Sequence, residues 1–153
     1  MNKNWVLIVS VLFLVIPLFL WADQETSMKD IIAGFKAAVD LAEDSLDQEV
    51  VFLQADLIGT NTASFTYTLH KGWTYGFAVF GDWRIDEIGV EVYKEANDEW
   101  VEFRSGKRSA GYASVDGMEV KKNVECLFEI KVYEFAEDYD IGHYGAILFH
   151  EHP

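Results

Sequence analysis

The chain has 153 residues, of which 50% are hydrophobic and 15% aromatic, a globular composition that excludes a disordered tail or a collagen-like fibre. It carries 26 Asp and Glu against 12 Lys and Arg, a formal net charge of −14, and a field of that sign excludes DNA, RNA and anionic lipid surfaces as partners. A single cysteine, Cys126, excludes an intramolecular disulfide.

The first element is an export signal. Met1-Asn2-Lys3-Asn4 is a short basic lead, Trp5 to Trp21 is apolar apart from Ser10 and Pro17, and a small residue, Ala22, precedes the polar Asp23-Gln24-Glu25. Residues 1–22 are therefore read as a signal peptide cleaved after Ala22, and the mature protein as secreted or periplasmic, with no membrane binding of its own. The competing reading is an uncleaved anchor, since the apolar run is close to the length that spans a bilayer. Both readings place the remaining domain outside the cytoplasm.

Residues 23–48 form the next unit. Ser27 caps a helix, and Met28, Ile31, Ile32, Phe35, Val39, Ala42 and Leu46 recur at three- and four-residue spacing, which predicts an amphipathic helix of about four to five turns. Its acidic end (Asp40, Glu43, Asp44) opposes the helix dipole. Such a helix needs a surface: the domain that follows, a partner, or a second copy, the last giving a homodimer through Met28–Leu46.

From Glu49 the hydrophobic period changes to two. Strands are predicted over Val50–Leu57, Ala63–Leu69, Trp73–Val79, Ile88–Lys94, Trp100–Phe103, Leu127–Phe135 and Tyr144–Phe149, with weaker ones at Tyr112–Val115 and Met118–Val120 on either side of an Asp116-Gly117 turn. His70-Lys71-Gly72, Gly81-Asp82 and Asn97-Asp98 are further turns. Strands at hairpin spacing without intervening helices predict a mainly β fold for residues 49–153: an antiparallel, two-layer, jelly-roll-like β-sandwich. Cys126 alternates in phase with Val124, Phe128 and Ile130, so it is expected inside as a small apolar residue.

Three segments also resemble a known family. Leu69-His70-Lys71-Gly72-Trp73-Thr74-Tyr75 is similar to the strand-glycine-aromatic entry of bacterial pre-peptidase C-terminal domains. Gly81-Asp82 leading into Asp86-Glu87-Ile88-Gly89-Val90-Glu91-Val92-Tyr93 resembles that family's Asp-strand-Tyr segment. Glu129-Ile130-Lys131-Val132-Tyr133 and Gly142-His143-Tyr144-Gly145 resemble its closing strands. The resemblance spans residues 50–150 and implies a jelly-roll-like accessory domain of secreted proteins, some members of which bind Ca²⁺ or extracellular polymers. The family's Asp-x-Asp pair is Asp86-Glu87 here.

Candidate site residues follow from residue type and position. The acidic turn residues Asp82, Asp86 and Glu87 offer hard oxygen ligands, for which Ca²⁺ is the fitting ion. Other acidic clusters lie at Glu43, Asp44, Asp47 and Glu49 and at Glu137, Asp138 and Asp140. Trp83 and Arg84 in a turn, with Trp100 and Tyr112, offer a stacking and hydrogen-bonding platform for a protein or polysaccharide ligand. His150 and His152 share strand parity, as zinc ligands would, but lack a third histidine in phase, since His143 has the opposite parity. No nucleophile elbow, zinc-protease helix or phosphate loop is present. The expectation is a non-catalytic binding or accessory module for a protein or extracellular polymer, with Ca²⁺ as its candidate stabilising ion; the alternatives are a carbohydrate-binding module and a small hydrolase built on paired carboxylates.

Overall fold

The structure is a computed structural model, and it describes residues 28–106 and 109–151. The signal peptide expected at residues 1–22 and His152 lie outside the described residues. No described helix is long and apolar enough to cross a membrane.

Helix α1 runs over Met28–Val39 and continues as a π-helical segment over Asp40–Ser45. Nine strands follow: β1 Gln48–Ile58, β2 Ala63–Leu69, β3 Thr74–Gly81, β4 Ile85–Ala96, β5 Glu99–Ser105, β6 Ser109–Ala110, β7 Tyr112–Glu119, β8 Val124–Phe135 and β9 Gly142–Glu151. Every pairing is antiparallel. Sheet I has the order β1-β9-β3-β7 and sheet II the order β2-β8-β4-β5, the two packing as a sandwich. The two-residue β6 pairs with both β7 and β4 and stitches the sheets together at one corner. Successive strands cross from sheet to sheet (β1 to β2 to β3 to β4, and β7 to β8 to β9), while β4 and β5 form a hairpin within sheet II. This is jelly-roll wiring.

Alternation explains the layers. Phe77, Val79, Tyr144, Ala146 and Leu148 of sheet I face Val90, Val92, Cys126, Phe128 and Ile130 of sheet II, all buried. Four phenylalanines form the middle of this core. The Phe65 ring stacks between Phe52 (4.1 Å) and Phe128 (4.9 Å), with Phe77 edge-on at 5.6 and 5.0 Å from Phe65 and Phe128. Cys126 is fully buried among them, as its phase implies, and burial pushes its thiol pKa up to about 11.

The opposite face of sheet I is also apolar, because helix α1 covers it. Ile31, Ala38, Ala78, Phe80, Ile147 and Phe149 make a second buried layer. The helix can lie this close because Gly34 faces the sheet: a Cβ there would stand 2.8 Å from Phe80 Cε2. Phe35 meets the Phe80 ring edge-on at 5.3 Å. Most of the apolar stripe is thus packed on the chain's own sheet, while Ile32, a large apolar residue of the helix, is 60% exposed. The helix is shorter than its periodicity suggests. Its acidic end opens into the π-helical turn, where Asp40 pairs with Lys36 at 2.5 Å and Glu43 accepts the Val50 N–H at 3.3 Å.

The Asp116-Gly117 turn is instead a β-bulge inside a continuous β7. The β3–β7 register slips between Tyr75/Met118 and Phe77/Val115, and Gly117 takes φ 63. The extra residue returns Met118 to the inter-sheet core three positions after Val115, while Asp116 keeps the phase of Tyr112 on the opposite face, where burial raises its carboxyl pKa above the ordinary Asp value. A raised folded-state pKa means the charged form costs stability. That cost is absent below the ordinary Asp pKa and appears as pH rises through the folded value. Asp116→Asn is therefore expected to stabilise the protein at neutral pH by on the order of 1 kcal/mol, with the gain vanishing on acidification. Urea titrations at pH 7 and pH 3.5 check this.

Candidate functional site

The strands run between two ends, and the expected site residues divide between them. At one end the β3–β4 turn carries Asp82, Trp83 and Arg84. The Asp82 side chain has no solvent exposure, and both of its oxygens are engaged. Oδ1 accepts the Arg84 backbone N–H at 3.0 Å; Oδ2 accepts Arg84 Nε at 3.0 Å, Arg84 Nη2, and the His143 backbone N–H at 2.9 Å. His143 Nδ1 stands 3.2 Å from the same oxygen and 2.5 Å from Arg84 Nη2. Arg84 can only donate, so Nδ1 is the acceptor of that contact. Gly142 keeps β9 close to this turn: a Cβ there would stand 2.6 Å from Ile85 Cγ1 and 3.1 Å from Asp82 Oδ1.

This cluster is a structural tie between the β3–β4 turn and the start of β9. Asp82 is shut off from solvent and saturated with donors, which leaves it no role as a catalytic base. Both Asp82 oxygens are taken up by these donors, and among the described residues no group of three or more His, Cys, Asp or Glu that could hold a metal ion occurs. Asp86 is exposed. Trp83 is half-buried, with its ring edge-on to Tyr139 at 4.8 Å.

Trp100 lies toward the other end. It pairs with Glu95, about ten residues and ~30 Å along β4 from the Asp82 turn. Tyr112 sits beneath the helix-covered face of sheet I, 5% exposed, and burial pushes its pKa up to about 12. Trp83, Arg84, Trp100 and Tyr112 therefore do not make one platform. His150 is also buried, its ring tilted against Trp73 at 4.1 Å and its Nε2 3.6 Å from Glu49.

Trp100 has other neighbours. Among the described residues no helix covers the outer face of sheet II. The residues that alternate outward there are Glu91 and Tyr93 on β4, Leu127, Glu129, Lys131 and Tyr133 on β8, and Trp100 and Glu102 on β5. Glu91 is the hub. It accepts from Lys131 Nζ at 2.7 Å, from the Tyr93 hydroxyl, and from the Tyr133 hydroxyl at 3.4 Å, and Lys131 reaches Glu129 at 3.2 Å. The Lys131 hydrogen bond, followed by that of Tyr93, lowers the Glu91 pKa, and the Glu91 bond pushes the Tyr93 hydroxyl up to about 12. Directly across from Tyr93 are Leu127 and Glu102, and Trp100 is two residues beyond, 44% exposed. Tyr93 and Tyr133 thus have their hydroxyls fixed while their rings lie on an open sheet.

Sequence reasoning selected Trp100 and missed Glu91, Tyr93, Lys131 and Tyr133. The signal was present: Ile88, Val90 and Val92 point inward, so their alternates must point out.

No family model matches the sequence, and no curated protein matches it. Among solved structures, the crystal structure of the Yersinia pseudotuberculosis-derived mitogen is similar at 12% identity over 62% of this chain and 88% of that one, with a TM-score of 0.33. A likeness at that level carries no argument about function.

Proposed function

We propose that the protein is a non-catalytic binding module, working outside the cytoplasm, that holds a neutral carbohydrate polymer against the open face of sheet II. The observation that carries this reading is the Glu91 hub with Tyr93, Tyr133 and Lys131, set on an uncovered sheet beside Trp100. Aromatic faces pack against the C–H faces of sugar rings. Rings already held by their hydroxyls lose little freedom on binding. Glu91 and Lys131, about 27% and 30% exposed, keep hydrogen-bonding capacity for sugar hydroxyls. A net charge of −14 disfavours anionic polymers, which leaves neutral ones. Ca²⁺ stabilisation would have to draw on Asp86, Glu87 or other oxygens, because Asp82 is filled by Arg84 and His143.

The test is affinity electrophoresis and tryptophan fluorescence against soluble glucans, xylans, mannans and chitin oligomers. At least one should retard the wild type, and Trp100→Ala should weaken that binding by about tenfold, the loss of one central aromatic contact. A panel that leaves the wild type unretarded and its fluorescence unchanged would overturn the reading.

A further inference from the structure

At the end of the sandwich opposite the Asp82 cluster, the β4–β5 hairpin and the crossover from β7 to β8 enclose a groove of about 700 Å³. That is the size of a small-molecule site. Phe103, Val120 and Val124 give it apolar surface, and Asn97 and Asn123 give it amides.

The distribution of positive charge singles it out. Lys36, Arg84 and Lys131 are spent in ion pairs with Asp40, Asp82 and Glu91, and Lys29 also has a partner. By contrast, Lys94, Lys121 and Lys122 line the groove with no carboxylate partner among the described residues. Two more cations adjoin it. Arg104 and Lys94 both lie 4.9 Å from the Phe103 ring, and the Lys71 backbone N–H donates to Asn123 Oδ1 at 2.9 Å. In a chain with more than twice as many acids as bases, the cations left without a carboxylate partner among the described residues lie on or beside one groove.

We propose that this groove binds a small polar ligand through one anionic group, a carboxylate or a phosphate ester. Lysines without carboxylate partners keep their charge and all their donors for such a group. Carboxylates share the wall, namely Glu95, Asp98, Glu119 and Glu125. They stand beyond salt-bridge reach of the lysines, so the lysine N–H donors stay free, and they repel a ligand with anionic groups at several positions. The site therefore selects a single anionic group on a body that can hydrogen-bond to the amides. It is separate from the open face of sheet II and stands whether or not that face binds sugar.

The experiment titrates the protein with glucuronate, glucose 6-phosphate and, as a neutral control, glucose, following backbone amide shifts. Saturable binding of either acid, with shifts at Asn97, Asn123 and Val124 and none with glucose, is the expected result; which acid binds identifies the anionic group. Raising salt from about 50 to about 200 mM should weaken binding. Lys121→Glu with Lys122→Glu, both in an exposed turn, should weaken it by about tenfold or more. No saturable binding of either acid, shifts confined to other parts of the molecule, or equal affinity in the charge-reversed variant would each overturn the proposal.

Discussion

Asp82→Ala is expected to cost about 3–5 kcal/mol of unfolding free energy, read as a lower urea midpoint at unchanged slope. The side chain is a sealed carboxylate that satisfies Arg84 through its backbone and guanidinium and His143 through its backbone. Removing it leaves a guanidinium at 16% exposure without its counter-charge, and two backbone N–H groups without acceptors. Asp82→Asn keeps the shape and one acceptor oxygen but loses the charge, and should fall between wild type and alanine. A loss below about 1 kcal/mol in the alanine variant would mean that the cluster contributes little, as an exposed ion pair does.

Phe128→Ala should have a comparable effect, about 3–5 kcal/mol. Its ring is fully buried, is parallel to Phe65 and meets the edge of Phe77. These rings come from β8, β2 and β3, so a hole at Phe128 faces both sheets. The strands are hydrogen-bonded on neighbouring sides and cannot collapse freely into it, which places the cost high in the usual range for such truncations. Phe128→Leu should recover most of the loss. Equal destabilisation by leucine and alanine would show that ring stacking, not volume, sets the stability.

The sandwich was legible because most strands alternate cleanly. Ala63–Leu69 carries its inward residues at Ala63, Phe65, Tyr67 and Leu69, and the strand has those bounds. Asn97-Asp98 is the two-residue hairpin turn its composition suggests, with φ of 56 and 62. The bulge in β7 was hidden, because Asp-Gly marks a turn and a bulge with the same left-handed glycine. The site was harder to read than the fold. Trp83 and Trp100 look alike in sequence, and only pairing shows that a long strand separates them. Arg84, Asp82 and His143 were not legible as a unit, since their meeting depends on β9 returning beside β3 some sixty residues later. The outward row on β4 and β8 was readable residue by residue, but the convergence of two tyrosines and a lysine on Glu91 needed the register.

The placement of β9 has a consequence for how the molecule comes into being. Among the described strands β9 comes last in the sequence, yet it lies between β1 and β3, which come first and third. Until residues 142–151 are available, that layer is missing its middle and the helix has only part of its seat. Contacts so distant along the chain close slowly. A polypeptide of this wiring therefore keeps one layer unclosed until the strand at 142–151 slots between its two neighbours.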